Sequence, residues 1–149
     1  MRIILEEKLI SWEKIDSTKE FIENSLKHAF RDLEVARKLF TIKDYDWALS
    51  ISYTAMLQAA KSLMFFKGYR PTGYSKHLSI INFVKENFSS NIPETLFFLI
   101  NKTRKKRHQV VYEEINLVSK DEAFFIIEQT EIFLNIVDDI IYKKKIKND

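Results

Sequence analysis

The chain has no cysteine, and only two glycines and two prolines among its 149 residues. Without cysteine there is no disulfide, no thiol nucleophile and no metal site built on thiolates. The same absence fits a reducing compartment, and a cytoplasmic location is expected. So little glycine and proline leaves little material for turns, which favours a few long helices over many short strands. No apolar run approaches the length of a bilayer span, so no membrane partner is expected. Met1–Ile10 carries Arg2, Glu6, Glu7 and Lys8 where a secretory leader would have an apolar centre. No glycine-rich phosphate loop occurs. Neither sign of charge dominates: the net charge is +3. An anionic partner should therefore be drawn by a local patch and not by the whole surface.

What the chain does have is core-forming material. Hydrophobic residues make up 46% and charged residues 30%, the balance of a soluble globular protein. The length predicts one domain over residues 1–149. Residues 1–17 read as an N-terminal arm, a short helix or a strand-like segment, with Ile3, Ile4, Leu5, Leu9, Ile10 and Trp12 in no clear period. Lys143–Asp149 is a polar tail expected to fray.

Between them the apolar residues fall at helical spacing. Ser17-Thr18-Lys19-Glu20 reads as a capping box, with the Ser17 hydroxyl and the Glu20 carboxylate serving free amides. Ile22, Leu26, Ala29, Leu33, Ala36 and Phe40 then predict a helix over Thr18–Ile42. Asp44 or Asp46 caps a second helix, whose stripe of Ala48, Ile51, Ala55, Met56, Ala59 and Leu63 ends at Gly68. Tyr53 and Trp47 on that stripe are expected as core or dimer contacts. Gly68–Tyr74 is turn-rich and reads as a loop. A third helix follows over Ser75–Phe88, with His77 near its start as a capping or packing residue. Pro93 suits the first position of a fourth helix. Ser119-Lys120-Asp121-Glu122 is a second capping box, opening a last helix with Phe124, Ile127, Phe133, Leu134, Val137 and Ile141. The fold expected is all-α, an antiparallel up-and-down bundle of about five helices.

The fourth helix runs into Asn101-Lys102-Thr103-Arg104-Lys105-Lys106-Arg107-His108-Gln109-Val110-Val111-Tyr112. At about 100° per residue, Arg104, His108 and Tyr112 form one stripe, with Arg107 beside it and Lys102, Lys105 and Lys106 further round. Arginine offers a planar fork that matches phosphate oxygens. Histidine and tyrosine can hydrogen-bond, stack on a base or move a proton. Arg104, Lys105, Arg107, His108 and Tyr112 are therefore the candidate residues for binding a nucleic acid or nucleotide, and Arg107, His108 and Tyr112 the candidates for catalysis. Against this stands the plain alternative of a solvated basic face. No metal site is expected: no Glu-x-x-His pair exists, and His28 has Asn24, not a carboxylate, one turn before it. No cofactor is expected either.

These residues carry a resemblance. Asp32–Leu39, Asp44–Lys61 and Lys67-Gly68-Tyr69-Arg70-Pro71 with Ser75-Lys76-His77 follow one another as in a HEPN domain, and Arg107–Tyr112 falls at that family's motif. The chain resembles this family from about Phe21 to Tyr142. The resemblance implies a helical bundle that often dimerises, with the motif helix near the two-fold axis. It also implies an RNA-cleaving toxin or defence role, often beside a minimal nucleotidyltransferase partner. Arg107 matches the motif arginine and His108 the polar residue after it. Tyr112 stands where the RNA-cleaving members have histidine, and a phenol near pKa ~10 is a poorer proton carrier at neutral pH than an imidazole near ~6.5. The resemblance therefore supports binding of RNA or a nucleotide ahead of metal-independent endoribonuclease activity. The alternative it leaves is a non-catalytic module that docks a nucleotidyltransferase.

Overall fold

The computed structural model of the protein describes residues 9–113 and 115–143. The first part of the expected arm, Glu114 and the end of the expected tail lie outside these residues. Five helices and two short strands are described: β1 (Ser11–Lys14), α1 (Lys19–Thr41), α2 (Tyr45–Lys67), β2 (Tyr69–Thr72), α3 (Lys76–Phe88), α4 (Glu94–Tyr112) and α5 (Lys120–Tyr142). The fold is a mostly helical bundle, as the periodicity predicts.

The helices start and stop for local reasons. Thr18, not Ser17, caps α1 by accepting the Phe21 N–H at 3.2 Å. Both residues are hydroxyl-bearing, and spacing to the first free amide decides between them. Asp44 caps α2 through the Trp47 N–H. Gly68 ends α2 in the left-handed region at φ 85°, where a side chain is disfavoured. Ser75 and Ser119 cap α3 and α5 through the Leu78 and Glu122 N–H groups. Pro93 stands one place before the expected first helical position, at the cap of α4.

α2 is the central element and touches all four other helices. Thirteen of its 23 residues are buried. α1 buries only a stripe, Leu26, Ala29, Leu33 and Ala36 with Ser25, at the spacing of one helix face. Small residues make the close packing feasible: Ala48, Ala55, Ala59 and Ala60 of α2 meet neighbours without standing them off. Around them lie Leu33, Leu63, Phe83, Phe133 and Val137, each burial stabilising by about 1.5–3 kcal/mol. Of the two aromatics expected in this stripe, Tyr53 is fully buried and Trp47 is 49% exposed.

The Gly68–Tyr74 segment is not simply a loop. Tyr69–Thr72 pairs antiparallel with Ser11–Lys14, in the register Ser11 to Thr72 and Lys14 to Tyr69. Four residues per strand are too few to show a period, and proline at position 71 argues against a strand in sequence. The pairing holds because the ribbon lies on α3. Trp12 meets Phe83 edge-on with ring centres 5.2 Å apart, and Tyr69 meets the same ring at 5.3 Å. Among the described residues no helix is long and apolar enough to cross a membrane.

Candidate basic cleft

The first turns of α4 are anchored in the core by Leu96, Phe97, Ile100 and Thr103, spaced as one helix face. The Thr103 hydroxyl bonds back to the Leu99 carbonyl at 2.7 Å. Beyond Thr103 no residue of α4 is buried. The helix thus delivers its basic turn to the surface from a fixed base.

That turn forms one wall of a cleft of about 650 Å³. Arg104, Lys105, Arg107 and His108 line this wall, with Gln109 and Glu113 further along. The opposite wall is the start of α3 and the residue before its cap: Tyr74, Ser75, Lys76 and His77. Four cations and two imidazoles against one carboxylate give the cleft a positive electrostatic balance. Among the described residues no cluster of three His, Asp or Glu side chains is placed to hold a metal ion.

The two arginines are held unusually. The Nε atoms of both Arg104 and Arg107 are shielded from solvent, and neither has a hydrogen-bond partner among the described residues. A buried donor left unpaired costs about 1–3 kcal/mol, more when charged. The Arg107 guanidinium lies 5.6 Å from the centre of the Tyr53 ring, within the range of a cation–π contact. Behind it, the Tyr53 hydroxyl and His77 Nδ1 are 3.2 Å apart. Burial pushes the Tyr53 phenol up to about 12, against the pull of Arg104 and Arg107. Burial also lowers the His77 imidazole, and the positive charges of Arg107 and Arg104 lower it further.

The structure thus brings Arg104, Lys105, Arg107 and His108 to one cleft. Tyr112 is not in its lining. It stands at the end of α4, 70% exposed, its ring 4.9 Å from that of His108. The lysine flank divides. Lys105 reaches both this cleft and a second depression of about 310 Å³, which Lys102 and Lys106 line with Leu49, Leu99 and Phe125. Lys106 pairs there with Glu122 at 3.6 Å. His77 and Tyr53, read from sequence as a capping or packing residue and a core or dimer contact, also stand at the cleft. A serine cap followed two places on by histidine was the available signal for His77, and it reads equally as packing. His28 is exposed on α1 and lines neither of these depressions.

The chain matches the family model described as HEPN domain over residues 22–140. It belongs to the HEPN domain family. It is 29% identical over 129 residues to a Methanocaldococcus jannaschii protein whose name is putative toxin MJ0142, covering 86% of each chain. It is also similar to the crystal structure of ST0689, an archaeal HEPN homologue, with a TM-score of 0.62 and 26% identity over 80% of this chain and 97% of that one.

Proposed function

We propose that this chain is a toxin-like HEPN protein that binds RNA through the cleft between α3 and α4, with backbone phosphate against Arg104 and Arg107. The observation that carries this reading is the placing of the Arg104 and Arg107 side chains together in the lining of a cleft of positive balance. Their planar guanidinium forks suit phosphate oxygens. Lys105, and Lys76 from the other wall, add charge at the rim. His108 and Tyr112, with rings in contact at the end of α4, offer a surface on which a base can stack. The toxin-like role is supported by the name of the Methanocaldococcus jannaschii relative.

Cleavage is the stronger form of this proposal. In it, His108 takes the proton of a ribose 2′-hydroxyl. The O2′–P bond forms as the P–O5′ bond breaks, and the departing 5′-oxygen takes a proton from water. The arginines hold the charge that builds on phosphorus. The products are a 2′,3′-cyclic phosphate and a 5′-hydroxyl, and no metal takes part. The test is incubation of the protein with single-stranded RNA in EDTA. Cutting that stops in Arg107→Ala supports the cleavage form. Intact RNA sinks it, and retained binding leaves the binding form standing.

A second reading rests on a different observation. Phe98, Tyr112 and Ile115 are 70–84% exposed on and after α4, and Phe124 and Phe125 about half exposed on α5. Exposed aromatics of this kind favour a docking surface, for a second copy of the chain or for a nucleotidyltransferase. Light scattering on the purified protein tests the homodimer. Co-purification with the product of a neighbouring nucleotidyltransferase gene tests the other partner.

A further inference from the structure

His77 lies on α3, on the wall opposite the motif helix, and its ring has two chemically distinct ends. Nδ1 is 3.2 Å from the hydroxyl of Tyr53, and the ring lines the cleft. Which atom donates in this bond is decided by the surroundings of Tyr53. That residue has no exposed surface. Its hydroxyl hydrogen needs an acceptor, and the cation lying over its ring, Arg107, has none to give. Among the described residues His77 Nδ1 is the acceptor it has. Tyr53 therefore donates and Nδ1 accepts. A neutral imidazole accepting at Nδ1 carries its proton on Nε2. Burial, and after it the positive charges of Arg107 and Arg104, disfavours a second proton on the ring.

We infer that His77 is an anion-binding residue of the cleft, locked by Tyr53 in the tautomer that presents Nε2–H to a phosphate group shared with Arg104 and Arg107. The inference rests on the reading of the cleft as a phosphate site and assigns it a second wall. Tyr53 is a positioning residue that acts through His77. The arrangement gives the two histidines of the cleft different roles. His77 is a donor whose free nitrogen is already protonated, so it cannot accept a proton there. His108 is exposed, and among the described residues no hydrogen bond fixes its tautomer, so it remains the imidazole available as a base. The phosphate can belong to an RNA strand or to a free nucleotide, and the cleft wall would treat both alike.

Two measurements test this on the intact protein. The first is the two-bond nitrogen–proton NMR correlation of the His77 ring. The expected pattern is a protonated Nε2 and an unprotonated Nδ1 at neutral pH, relaxing toward a tautomer mixture in Tyr53→Phe. A protonated Nδ1 in the wild type overturns the inference. The second is binding of two probes, a single-stranded oligoribonucleotide and a ribonucleoside monophosphate, to His77→Ala, His77→Gln and Arg107→Ala. A hydrogen bond to a charged group predicts a loss of about tenfold or more in His77→Ala. His77→Gln, which can supply an amide donor in place of Nε2–H, should recover most of it. Loss with both probes identifies the phosphate group as the ligand, and loss with RNA alone identifies a strand. If Arg107→Ala abolishes binding and His77→Ala changes nothing, the inference fails and the cleft reading survives. If the wild type binds neither probe, the cleft reading fails and takes the inference with it.

Discussion

The carboxylate of Asp46 accepts the backbone N–H of Val118 at 2.9 Å, so the start of α2 holds the approach to α5. The same carboxylate takes the N–H groups of Asn116 and Leu117 at 2.6 and 3.0 Å. One side chain thus satisfies three successive amides of the segment that follows the motif helix. Asn116 itself sits at φ 56°, a conformation the carboxylate helps to hold. Asp46→Ala should destabilise the protein by about 1–3 kcal/mol. Asp46→Asn, which keeps one acceptor oxygen, should cost less. Chemical denaturation measures both. A variant as stable as the wild type would remove this anchor from the account.

Arg107→Ala should lower RNA affinity tenfold or more, because it removes a charge-assisted contact. It should also reduce the slope of log affinity against log salt by about 0.7, the loss of one single-strand phosphate contact. Fluorescence anisotropy across a salt series reads both quantities. An unchanged slope would place Arg107 away from phosphate.

Tyr112 is 70% exposed, so Tyr112→Ala should leave stability within about 0.5 kcal/mol of the wild type. Loss of one stacking surface should still weaken RNA binding by about 1 kcal/mol or more. Tyr112→Phe, which keeps the ring, should bind as the wild type does. Equal weakening in both variants would point to the hydroxyl and away from stacking.

His77 gives stability a dependence on pH. Unfolded, its imidazole has a pKa near ~6.5. Folded, the value is lower, through burial first and then through Arg107 and Arg104. As pH falls below about 6.5 the unfolded chain takes up the proton first, so stability falls. The contribution is complete above the unfolded value and is lost as pH drops through the folded one. Melting temperatures from about pH 8 to pH 5 should therefore fall more in the wild type than in His77→Gln. Parallel curves would assign the acid sensitivity to other groups.

Gly68 closes α2 at φ 85° and its carbonyl accepts the Ile15 N–H at 2.9 Å. A Cβ added there would stand 3.7 Å from the Ile15 carbonyl oxygen, an ordinary contact. The cost of Gly68→Ala is then conformational and should be about 1–2 kcal/mol, with the turn into β2 otherwise kept. A loss several times larger in denaturation would mean that the β1–β2 ribbon has come away as well.

The helices were legible because their causes are local. The stripe of Leu26, Ala29, Leu33 and Ala36 repeats within one helix, and Ser119 caps an amide three residues on. The ribbon was not legible, because Ser11 finds Thr72 across 61 residues of chain and four-residue strands carry no period. In sequence Ser17 reads as the cap where Thr18 serves, and Asp44 and Asp46 are equal choices. Helix phasing separated the first pair, and contact with the segment before α5 separated the second.

For the site, the sequence alone determined that Arg104, Arg107, His108 and Tyr112 share one side of a helix, since a helix of regular pitch leaves no other arrangement. Tertiary structure decided what that side faces. Packing of α2 against both α3 and α4 puts Arg107 over Tyr53 and brings Tyr53 to His77, 24 residues away in the chain. No local propensity encodes that meeting, because it depends on the crossing of three helices. It is the meeting that turns a row of cations into a two-walled cleft.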